Sequence, residues 1–360
     1  MGGNITLFVD GDSFQRQRCV LPHLIVGLID QAVPMRVVTT DPRAASLALG
    51  PVQVLVRERA TWPFAGRRLA SLMESLAPTP PTVLHAFSNE SYAVTRDLAE
   101  EFDAELVWSV GGFADLEAIG RFDMARVDAV VTHSPTMVER MCESLGLEPA
   151  KIHVISPGVL ATATASAFVD TARTPTIVCT AAFDRTGCVE PVIQAVDILR
   201  RRSRPVALFL LGDGPSESSL RRMVRELRLA PHVTFAHPSG DLTPALMHAD
   251  VFVRAKRVTA FEDDILQAMA AGLVVVCGAS EIDDGLRDGE TAALCNPAAP
   301  ESIADAVEHL LADVDAARAI ARGALDHVRT HHTLSGMAEQ AANLYRDLTL
   351  RRTTFSVEGT

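Results

Sequence analysis

The chain has 360 residues, of which 33 are basic and 45 acidic, so its formal net charge is −12. This length favours two domains, and the acidic balance argues against a protein that coats nucleic acid, because neutralising phosphates requires basic side chains. With 48% hydrophobic and 22% charged residues, the composition is that of a globular chain and excludes extensive disorder.

Strand and helix patterns alternate along almost the whole chain. In the first half, apolar β-branched runs predict strands over Ile5–Val9, Met35–Thr39, Val52–Val56, Thr82–Ala86, Leu106–Val110, Val127–Thr132 and Ile152–Ile155. In the second half, they predict strands over Thr176–Thr180, Ala207–Leu211, Val233–Phe235, Val251–Val253 and Val274–Val276. Helical periodicity is found over Leu21–Ala32, Pro191–Arg202, Ser216–Leu227, Asp241–His248, Asp263–Ala271, Ala299–Ala312 and Leu334–Leu348.

Apolar strands that alternate with helices form parallel sheets covered on both faces. The chain is therefore predicted to be an α/β protein with two doubly wound, Rossmann-like domains, residues 1–158 and 176–333, and a cleft between them. Residues 159–175 are small, polar and aperiodic, which is typical of a linker. Residues 334–360 are expected to form a C-terminal helix and tail, with the helix packing back on the first domain.

Membrane, secretion and metal signals are weak. The longest apolar stretch, Ala268–Cys277, is much shorter than the ~20 residues that a membrane-spanning helix needs, and no basic region opens a signal peptide. The six scattered cysteines favour free thiols and argue against a zinc site. His331 and His332 are interpreted as a lone surface pair at the start of a late helix. We expect a cytoplasmic protein without a metal or other cofactor.

An ordered series of motifs runs through the second half. Leu210-Leu-Gly-Asp-Gly-Pro215 is a strand leading into a glycine turn, and Ala268-Met-Ala-Ala-Gly-Leu-Val-Val-Val276 is a helix end leading into a strand. Two further motifs of the series, Ala129–Glu139 and Lys151–Gly158, precede these at the end of the first half, and two more, Asp288–Ala292 and Asn343–Arg346, follow them. Over about residues 127–348, the series resembles the family 4 (group 1) retaining glycosyltransferases of GT-B fold. The resemblance implies transfer of a sugar from a nucleotide-sugar donor, bound by the second domain, to an acceptor bound by the first.

The donor motif departs from that family. The family has a Glu, seven residues and a second Glu ahead of the Ala-Met helix, and these two positions are Thr259 and Gln267 here. Gln267 retains a carbonyl and an amide that can bind a ribose, whereas Thr259 has no carboxylate. The family's Phe-Gly-Leu run is Phe261-Glu262-Asp263, in which the acidic pair is expected to hinder close backbone approach and to repel a diphosphate.

The diphosphate clamp also differs. The family's Arg and Lys after the first strand of the second domain correspond to Ala182 and Thr186. Three nearby cations are candidates to replace them: Arg185, Lys256 and Arg257. The alternative for Lys256-Arg257 is an ion pair with the acidic run that follows. Gly212, Asp213 and Gly214 form a candidate phosphate cradle, with a plain strand-to-helix turn as the alternative.

The first domain supplies the acceptor-side candidates. They lie in the shortened loop after the first strand and in a glycine pair where the family carries a His: Gly11, Asp12, Ser13, Gly111 and Gly112. His85, near a strand end, is the candidate catalytic group for acceptor binding or proton transfer, and a packed, hydrogen-bonded histidine is the alternative. The segment Arg57–Arg68 combines four Arg with Trp62 and Phe64, so a peripheral contact with the inner membrane face is weighed against a solvated loop.

Two hypotheses from different classes follow. The first is an enzyme of the transferase class, a retaining glycosyltransferase that uses a nucleotide-sugar and a glycan or lipid-linked acceptor. The second is a catalytically degenerate GT-B protein that binds or scaffolds, because fold does not guarantee function. A sugar-nucleotide epimerase is a weaker third, since the sequence offers no placed acid–base pair. Neither leading hypothesis involves nucleic acid. They are distinguished by whether Arg185 and Lys256 point into the cleft or pair with local carboxylates.

Overall fold

The computed structural model describes residues 3–57, 65–118, 124–184, 188–237, 242–280, 282 and 285–358. Its contacts divide the chain into two units. The first unit comprises Met1–Gly158 and Thr333–Thr360, and the second comprises Val159–His332. Within the described ranges, none of the helices combines the length and the apolar character that a membrane crossing requires.

The first unit is built on a parallel sheet of seven strands. Most of these strands are apolar and buried, as expected for a sheet that helices cover on both faces. The strands are β1 (Ile5–Val9), β2 (Met35–Thr39), β3 (Gln53–Val56), β4 (Val83–Ala86), β5 (Glu105–Val110), β6 (Ala129–Thr132) and β7 (Ile152–Val154). Their spatial order is β3-β2-β1-β4-β5-β6-β7, which is the doubly wound order. The carboxyl ends of all these strands therefore lie along one edge.

Seven α-helices are described in this unit, together with short 3-10 turns at Pro42–Leu47, Met124–Arg126 and Pro149–Lys151. The helices are α1 (Gly11–Arg16), α2 (Val20–Asp30), α3 (Ala65–Leu76), α4 (Asn89–Phe102), α5 (Phe113–Ala118), α6 (Thr136–Leu145) and α13 (Leu334–Glu358). The last helix packs against α2, β4 and β5. A Cβ on Gly27 of α2 would lie only 2.5 Å from the Cβ of Ala338 in α13, so glycine permits this close helix approach.

The second unit is built on a parallel sheet of six strands in the order β10-β9-β8-β11-β12-β13. The strands are β8 (Thr176–Thr180), β9 (Ala207–Leu211), β10 (Val233–Ala236), β11 (Val251–Val253), β12 (Val274–Cys277) and β13 (Ala293–Leu294). The helices are α7 (Glu190–Arg201), α8 (Glu217–Glu226), α9 (Thr243–Leu246), α10 (Asp263–Ala270), α11 (Pro300–Ala312) and α12 (Val314–His331). One apolar core contains Cys179, Leu210, Val253 and Val276 from four neighbouring strands. The predicted α/β class with two Rossmann-like sheets is confirmed.

All twelve predicted strands are present, with ends within two residues of those expected. The prediction lacks helices α1, α4 and α5 in the first unit, and the two-residue strand β13 and the 18-residue helix α12 in the second. The interpretation of His331 and His332 as a helix start is wrong, because α12 ends at His331 and α13 begins only at Leu334.

The segment 159–175, which the sequence suggests is a linker, lies in the second unit and is held there by a buried carboxylate. Asp250 is 1% exposed. It accepts hydrogen bonds from the main-chain N–H groups of Phe168 at 2.7 Å and Thr176 at 2.8 Å. Arg173 Nη2 lies 2.7 Å from the same carboxylate. The stretch from Phe168 to Thr176 is therefore held at both of its ends by Asp250, the residue before β11.

Replacing Asp250 with Asn is expected to lower the free energy of unfolding by about 2 kcal/mol, because hydrogen bonds to a buried charged group are worth more than neutral ones. Chemical denaturation measures the effect. The matched control is Asp315→Asn, whose carboxylate is 93% exposed and pairs with Arg318 at 3.2 Å. That change should cost less than about 1 kcal/mol. Equal effects of the two substitutions would contradict the anchoring role of Asp250.

Candidate functional site

The carboxyl edge of the second sheet is the expected ligand-binding edge of this unit. In doubly wound folds, ligands bind beyond the carboxyl ends of the strands, where the strand order reverses. Here the reversal lies between β8 and β11. The residues that follow β8, β9 and β11, together with the start of α10, therefore make up the candidate donor site.

The glycine turn after β9 packs closely on the segment after β8. A Cβ on Gly212 would lie 1.9 Å from the carbonyl oxygen of Ala181, and one on Gly214 would lie 2.5 Å from that of Phe183. Gly214 also has a φ of +145°, which L side chains rarely adopt. The Gly212 N–H donates to the Ala236 carbonyl at 3.0 Å. These contacts favour the strand-to-helix turn over a phosphate cradle at Gly212.

A buried arginine that the sequence analysis did not select organises the charged run. Arg254 directly follows β11 and is 4% exposed. Its Nη1 donates to Asp264 at 2.5 Å, and its Nη2 pairs with Glu262. Thr180, the last residue of β8, also donates to Asp264. The end of β8, the end of β11 and the first turn of α10 are thus joined through one carboxylate.

Lys256 pairs with a local carboxylate rather than standing alone. Its Nζ lies 2.7 Å from Glu262 Oε1, while Arg254 binds the other oxygen, Oε2. The Lys256 side chain is 41% exposed, so water reaches this ion pair. Because Glu262 holds two cations, the acidic run is compensated locally, and the expected repulsion of a diphosphate is offset to that extent.

The ion pairs shift the pKa values of the buried partners toward charged forms. Burial by itself lowers the pKa of Arg254, but Asp264 and Glu262 outweigh it and raise the pKa above its ordinary value. For Glu262, burial raises the pKa, and Arg254 and Lys256 together bring it below the usual range. Both groups therefore remain ionised near neutral pH. Arg254 Nε is buried and has no hydrogen-bond partner within the described part of the chain.

Gln267 lies one turn into α10 and is buried with Asp263. Its Nε2 donates to Asp263 Oδ1 at 3.0 Å. This bond orients the Gln267 amide and leaves its carbonyl oxygen as the acceptor that a ribose hydroxyl needs. The other donor-side candidates in the described ranges are half-buried or exposed: Ala182, Asp213, Arg257, Thr259 and Phe261. Arg185 and Thr186 lie outside the described residues.

In the first unit, the acceptor-side loop is the first turn of α1. Asp10 caps this helix and accepts from the N–H groups of Asp12 at 3.0 Å and Ser13 at 2.9 Å. Ser88, which follows β4, donates to the other Asp10 oxygen. Burial raises the pKa of the Asp10 carboxyl, and hydrogen bonds from Ser13 oppose the shift. Gly11 and Asp12 lie at the surface of this turn, whereas Ser13 is buried.

The glycine pair after β5 is bound to a second carboxylate. The Gly111 N–H donates to Asp115 Oδ2 at 2.9 Å, and Gly112 is buried beside it. Arg16 lies 3.8 Å from Asp115 and 3.1 Å from Asp12. Burial raises the pKa of Asp115, and the charge of Arg16 opposes it. The acceptor-side candidates thus surround a cluster of charged groups at one edge. The hypothesis of a membrane contact rests on the segment Arg57–Arg68, of which residues 58–64 lie outside the described ranges.

His85 is packed inside the first unit. It is 2% exposed and is the third of four residues in β4, so it lies one residue before the end of that strand and is buried. Its Nδ1 lies 2.7 Å from the Tyr345 hydroxyl, and its Nε2 lies 2.8 Å from Ser109 Oγ. Its ring stacks on Phe87 at 4.3 Å. Burial, with a smaller effect of His133, lowers the pKa of His85 to about 3. These contacts favour the packed histidine over a catalytic one.

The sequence carried a signal for Arg254. A single arginine directly follows the wholly apolar strand Val251–Val253, and acidic residues stand 8 and 10 positions later. An arginine at the end of a buried strand needs a carboxylate partner. The acidic run was considered as an ion-pair partner of Lys256 and Arg257, so its pairing with Arg254 was missed.

Two family models match the chain. The model described as "Glycosyl transferases group 1" matches residues 174–313, and the model described as "Glycosyltransferase Family 4" matches residues 20–161. Together the matches span most of the chain, one in each unit. Together the two matches support a group 1/family 4 glycosyltransferase, and the two Rossmann-like units are those of the GT-B fold.

Curated relatives agree with this assignment over part of their length. The chain is 31% identical over 160 residues to the GDP-mannose-dependent alpha-(1-6)-phosphatidylinositol monomannoside mannosyltransferase of Mycobacterium tuberculosis, covering 42% of this chain and 41% of that protein. It is 30% identical over 220 residues to the lipopolysaccharide core biosynthesis glycosyltransferase LpsE of Rhizobium meliloti, covering 60% and 61%. The chain thus spans less than two thirds of these relatives.

Solved structures share the fold. A glycosyltransferase from Rickettsia africae superposes with a TM-score of 0.79 at 15% identity, covering 96% of this chain and 98% of that one. Anabaena Alr3699/HepE in complex with UDP-glucose superposes with a TM-score of 0.79 at 14% identity, covering 96% and 100%.

The stability of the protein in acid should reveal the neutral His85. The unfolded chain binds a proton at the ordinary histidine pKa of 6.5, whereas the folded chain does so only near 3. Between pH 6 and pH 4, the free energy of unfolding should therefore fall by about 1.4 kcal/mol per pH unit more in the wild type than in His85→Gln. Above about pH 7 this contribution vanishes.

Denaturant unfolding at several pH values measures this difference, with His309→Gln on an exposed helix face as the control. Parallel pH profiles for the wild type and His85→Gln would mean that the folded protein protonates His85 normally, and would return it to the list of acid–base candidates.

Proposed function

We propose that this chain transfers a sugar from a nucleotide-sugar donor to a glycan or lipid-linked acceptor, with retention of anomeric configuration. Glycosyl transfer is the activity named by the two family models that match the chain, and for this chain it is part of the proposal. The kind of donor, the acceptor class and the stereochemistry are its finer parts. The observation that carries it is the cation pair around Glu262 at the carboxyl edge of the second sheet.

A nucleotide-sugar donor is supported by two relatives of different kinds. The structure of Anabaena Alr3699/HepE holds UDP-glucose, and the Mycobacterium tuberculosis relative is named as GDP-mannose-dependent. One name contains a uridine nucleotide and the other a guanosine nucleotide, so together they support a nucleotide-sugar donor without selecting its base. In the proposed arrangement, the second unit binds the donor and the first unit binds the acceptor.

Lys256 is proposed as the cation that turns toward the donor diphosphate. When Lys256 turns away from Glu262 Oε1, Glu262 keeps its ion pair with Arg254 through Oε2. Arg254 cannot exchange in the same way, because its departure would leave Asp264 buried without its counter-charge. Lys256 is also the more exposed of the two cations. A flexible ammonium near the leaving diphosphate stabilises the negative charge that develops there.

The start of α10 supplies the second part of the proposed donor site. A helix N-terminus favours an anion, and Arg254 forms ion pairs with Glu262 and Asp264 at the start of this helix and so offsets their negative charge. The carbonyl oxygen of Gln267 is oriented to accept from a ribose hydroxyl, because its amide is held by Asp263. These side-chain and main-chain groups compensate the diphosphate, so we propose that transfer proceeds without an added metal ion.

A binding or scaffold protein is the second candidate. It is favoured by the ion pair of Lys256 with Glu262 at 2.7 Å, because pairing with a local carboxylate is the arrangement expected of this candidate. Thr259, which is exposed, also favours it, since it offers a hydroxyl where the resemblance leads us to expect a carboxylate. A protein of this kind would bind the nucleotide-sugar without releasing the nucleoside diphosphate.

A thermal-shift and calorimetric screen against UDP, GDP, ADP and TDP, alone and as sugar conjugates, separates the two candidates. One-site binding at a free ligand concentration of 100 Kd should stabilise the fold by about 2.7 kcal/mol. Transfer additionally releases the nucleoside diphosphate, and NMR of the product gives the anomeric configuration. Selective binding without release, across a panel of glycan and lipid-linked acceptors, would support the scaffold. The absence of any response at millimolar ligand would contradict both.

Replacing Lys256 with Met is expected to weaken binding of the selected nucleoside diphosphate about tenfold, which corresponds to ~1.4 kcal/mol. Binding of the nucleoside that lacks the diphosphate should stay unchanged. The chain offers a matched control in Lys151→Met, because Lys151 is the only other lysine. Calorimetry measures all three affinities.

Glu262→Gln tests the exchange itself. The amide releases Lys256 from its ion pair, so diphosphate affinity should hold or rise in this variant. Wild-type affinity in Lys256→Met, or a loss in Glu262→Gln as large as that in Lys256→Met, would contradict the exchange.

A further inference from the structure

The last turn of α12 brings together three imidazoles that the proposed function does not use. His327 and His331 are four residues apart, and their ring centroids lie 4.5 Å apart with planes inclined at 25°. The ring of His332 lies 5.5 Å from that of His327. The sequence suggests only a lone pair at residues 331–332, and the helix adds His327 to it. The cluster belongs wholly to the second unit.

Two histidines at this spacing share one face of a helix, which is the spacing that zinc-binding helices use. Zinc–nitrogen bonds of about 2.0–2.1 Å place two ligating nitrogens within ~4 Å of each other. Rings whose centroids are 4.5 Å apart reach that separation by side-chain rotation alone. Imidazole suits borderline divalent cations such as zinc, nickel, copper and cobalt.

A main-chain contact orients one of the two rings. His331 Nδ1 lies 3.0 Å from the carbonyl oxygen of His327. A hydrogen bond at one ring nitrogen of a metal-binding histidine selects the tautomer that presents the other nitrogen to the ion. His331 is exposed, so a solvated cation reaches its Nε2.

The surroundings favour a cation. The last turn of α12 carries the negative end of the helix dipole. Arg329, in the same turn, is directed away to the carbonyl oxygens of Thr162 and Ala163, the latter at 2.6 Å. Asp326 is largely exposed and lies 3.5 Å from Arg329. The charge of Arg329 is thus partly engaged elsewhere.

We propose that His327 and His331 form a two-histidine site for a divalent transition-metal cation, with water completing the coordination and His332 as a neighbouring imidazole. Within the described ranges, no group of three or more His, Cys, Asp or Glu side chains is disposed around one ion. The site is therefore a bidentate surface site and not a closed structural cage. It also lies at an anchoring point, because the His332 carbonyl accepts from the Val159 N–H at 3.1 Å.

The test is titration of the untagged chain with Co²⁺, followed by calorimetry and by visible absorption. We expect one site, without the thiolate-to-cobalt charge-transfer band that binding at a cysteine would give. His331→Gln should weaken Co²⁺ binding at least about tenfold, since even the loss of a group behind a metal ligand costs that much. His327→Gln should do the same. His309→Gln, on the last turn of α11, is the matched control and should bind as the wild type does.

Circular dichroism and the melting temperature of each apo variant establish that it is folded, so a loss of binding is separated from a loss of structure. Absence of Co²⁺ binding by the folded wild type overturns the proposal, as does equal weakening in His331→Gln and His309→Gln, or a thiolate band that persists in both α12 variants. None of these readouts depends on glycosyl transfer.

Discussion

The second unit depends on one buried charge. Arg254 directly follows β11, where the strand order reverses. Because it is only 4% exposed, water does not stabilise the charge of its guanidinium, and protein groups must do so. Its two acidic partners come from the residue before α10 and from the first turn of that helix. The path of the chain from β11 to α10 is therefore constrained by the need to bring Glu262 and Asp264 back to Arg254. The hydrogen bond from Thr180 to Asp264 extends this constraint to the end of β8.

The same constraint explains how an acidic run can occupy the start of a helix in a candidate anion site. Carboxylates there would repel a diphosphate if they stood alone. Arg254 shares its charge with both, and Lys256 adds a second cation on the solvent side of Glu262. One cation is thus buried and fixed, while the other is exposed and exchangeable. In the proposed exchange, Lys256 turns from Glu262 to the ligand while Arg254 keeps Glu262 and Asp264 paired, so no buried group is left without its counter-charge.

The fold was predictable from the sequence because its signal is local and repeated. Apolar runs such as Ala207–Leu211 are bounded by turns and alternate with amphipathic helices, so twelve of the thirteen described strands were found, with small errors at their ends. β13 was missed because two residues carry no periodicity. The helix α12 was missed because its apolar positions are largely alanine, whose burial leaves a weak pattern: Ala317, Ala321 and Ala324 are all fully buried.

The site was less predictable because its determinants are pairs. His85 was a candidate catalytic group because it lies near a strand end, but its environment is set by Tyr345, 260 residues later in the chain. Glu262 looked repulsive when compared position by position with a glycine, yet its effective charge depends on Arg254 and Lys256, neither of which occupies a recognised motif position. A motif comparison scores residues one at a time, whereas the net charge at a site depends on all the charged side chains that contact one another there. Departures from a family motif are therefore weak evidence of lost function until the partners of each substituted residue are known, and here Glu262 has two cationic partners, Arg254 and Lys256.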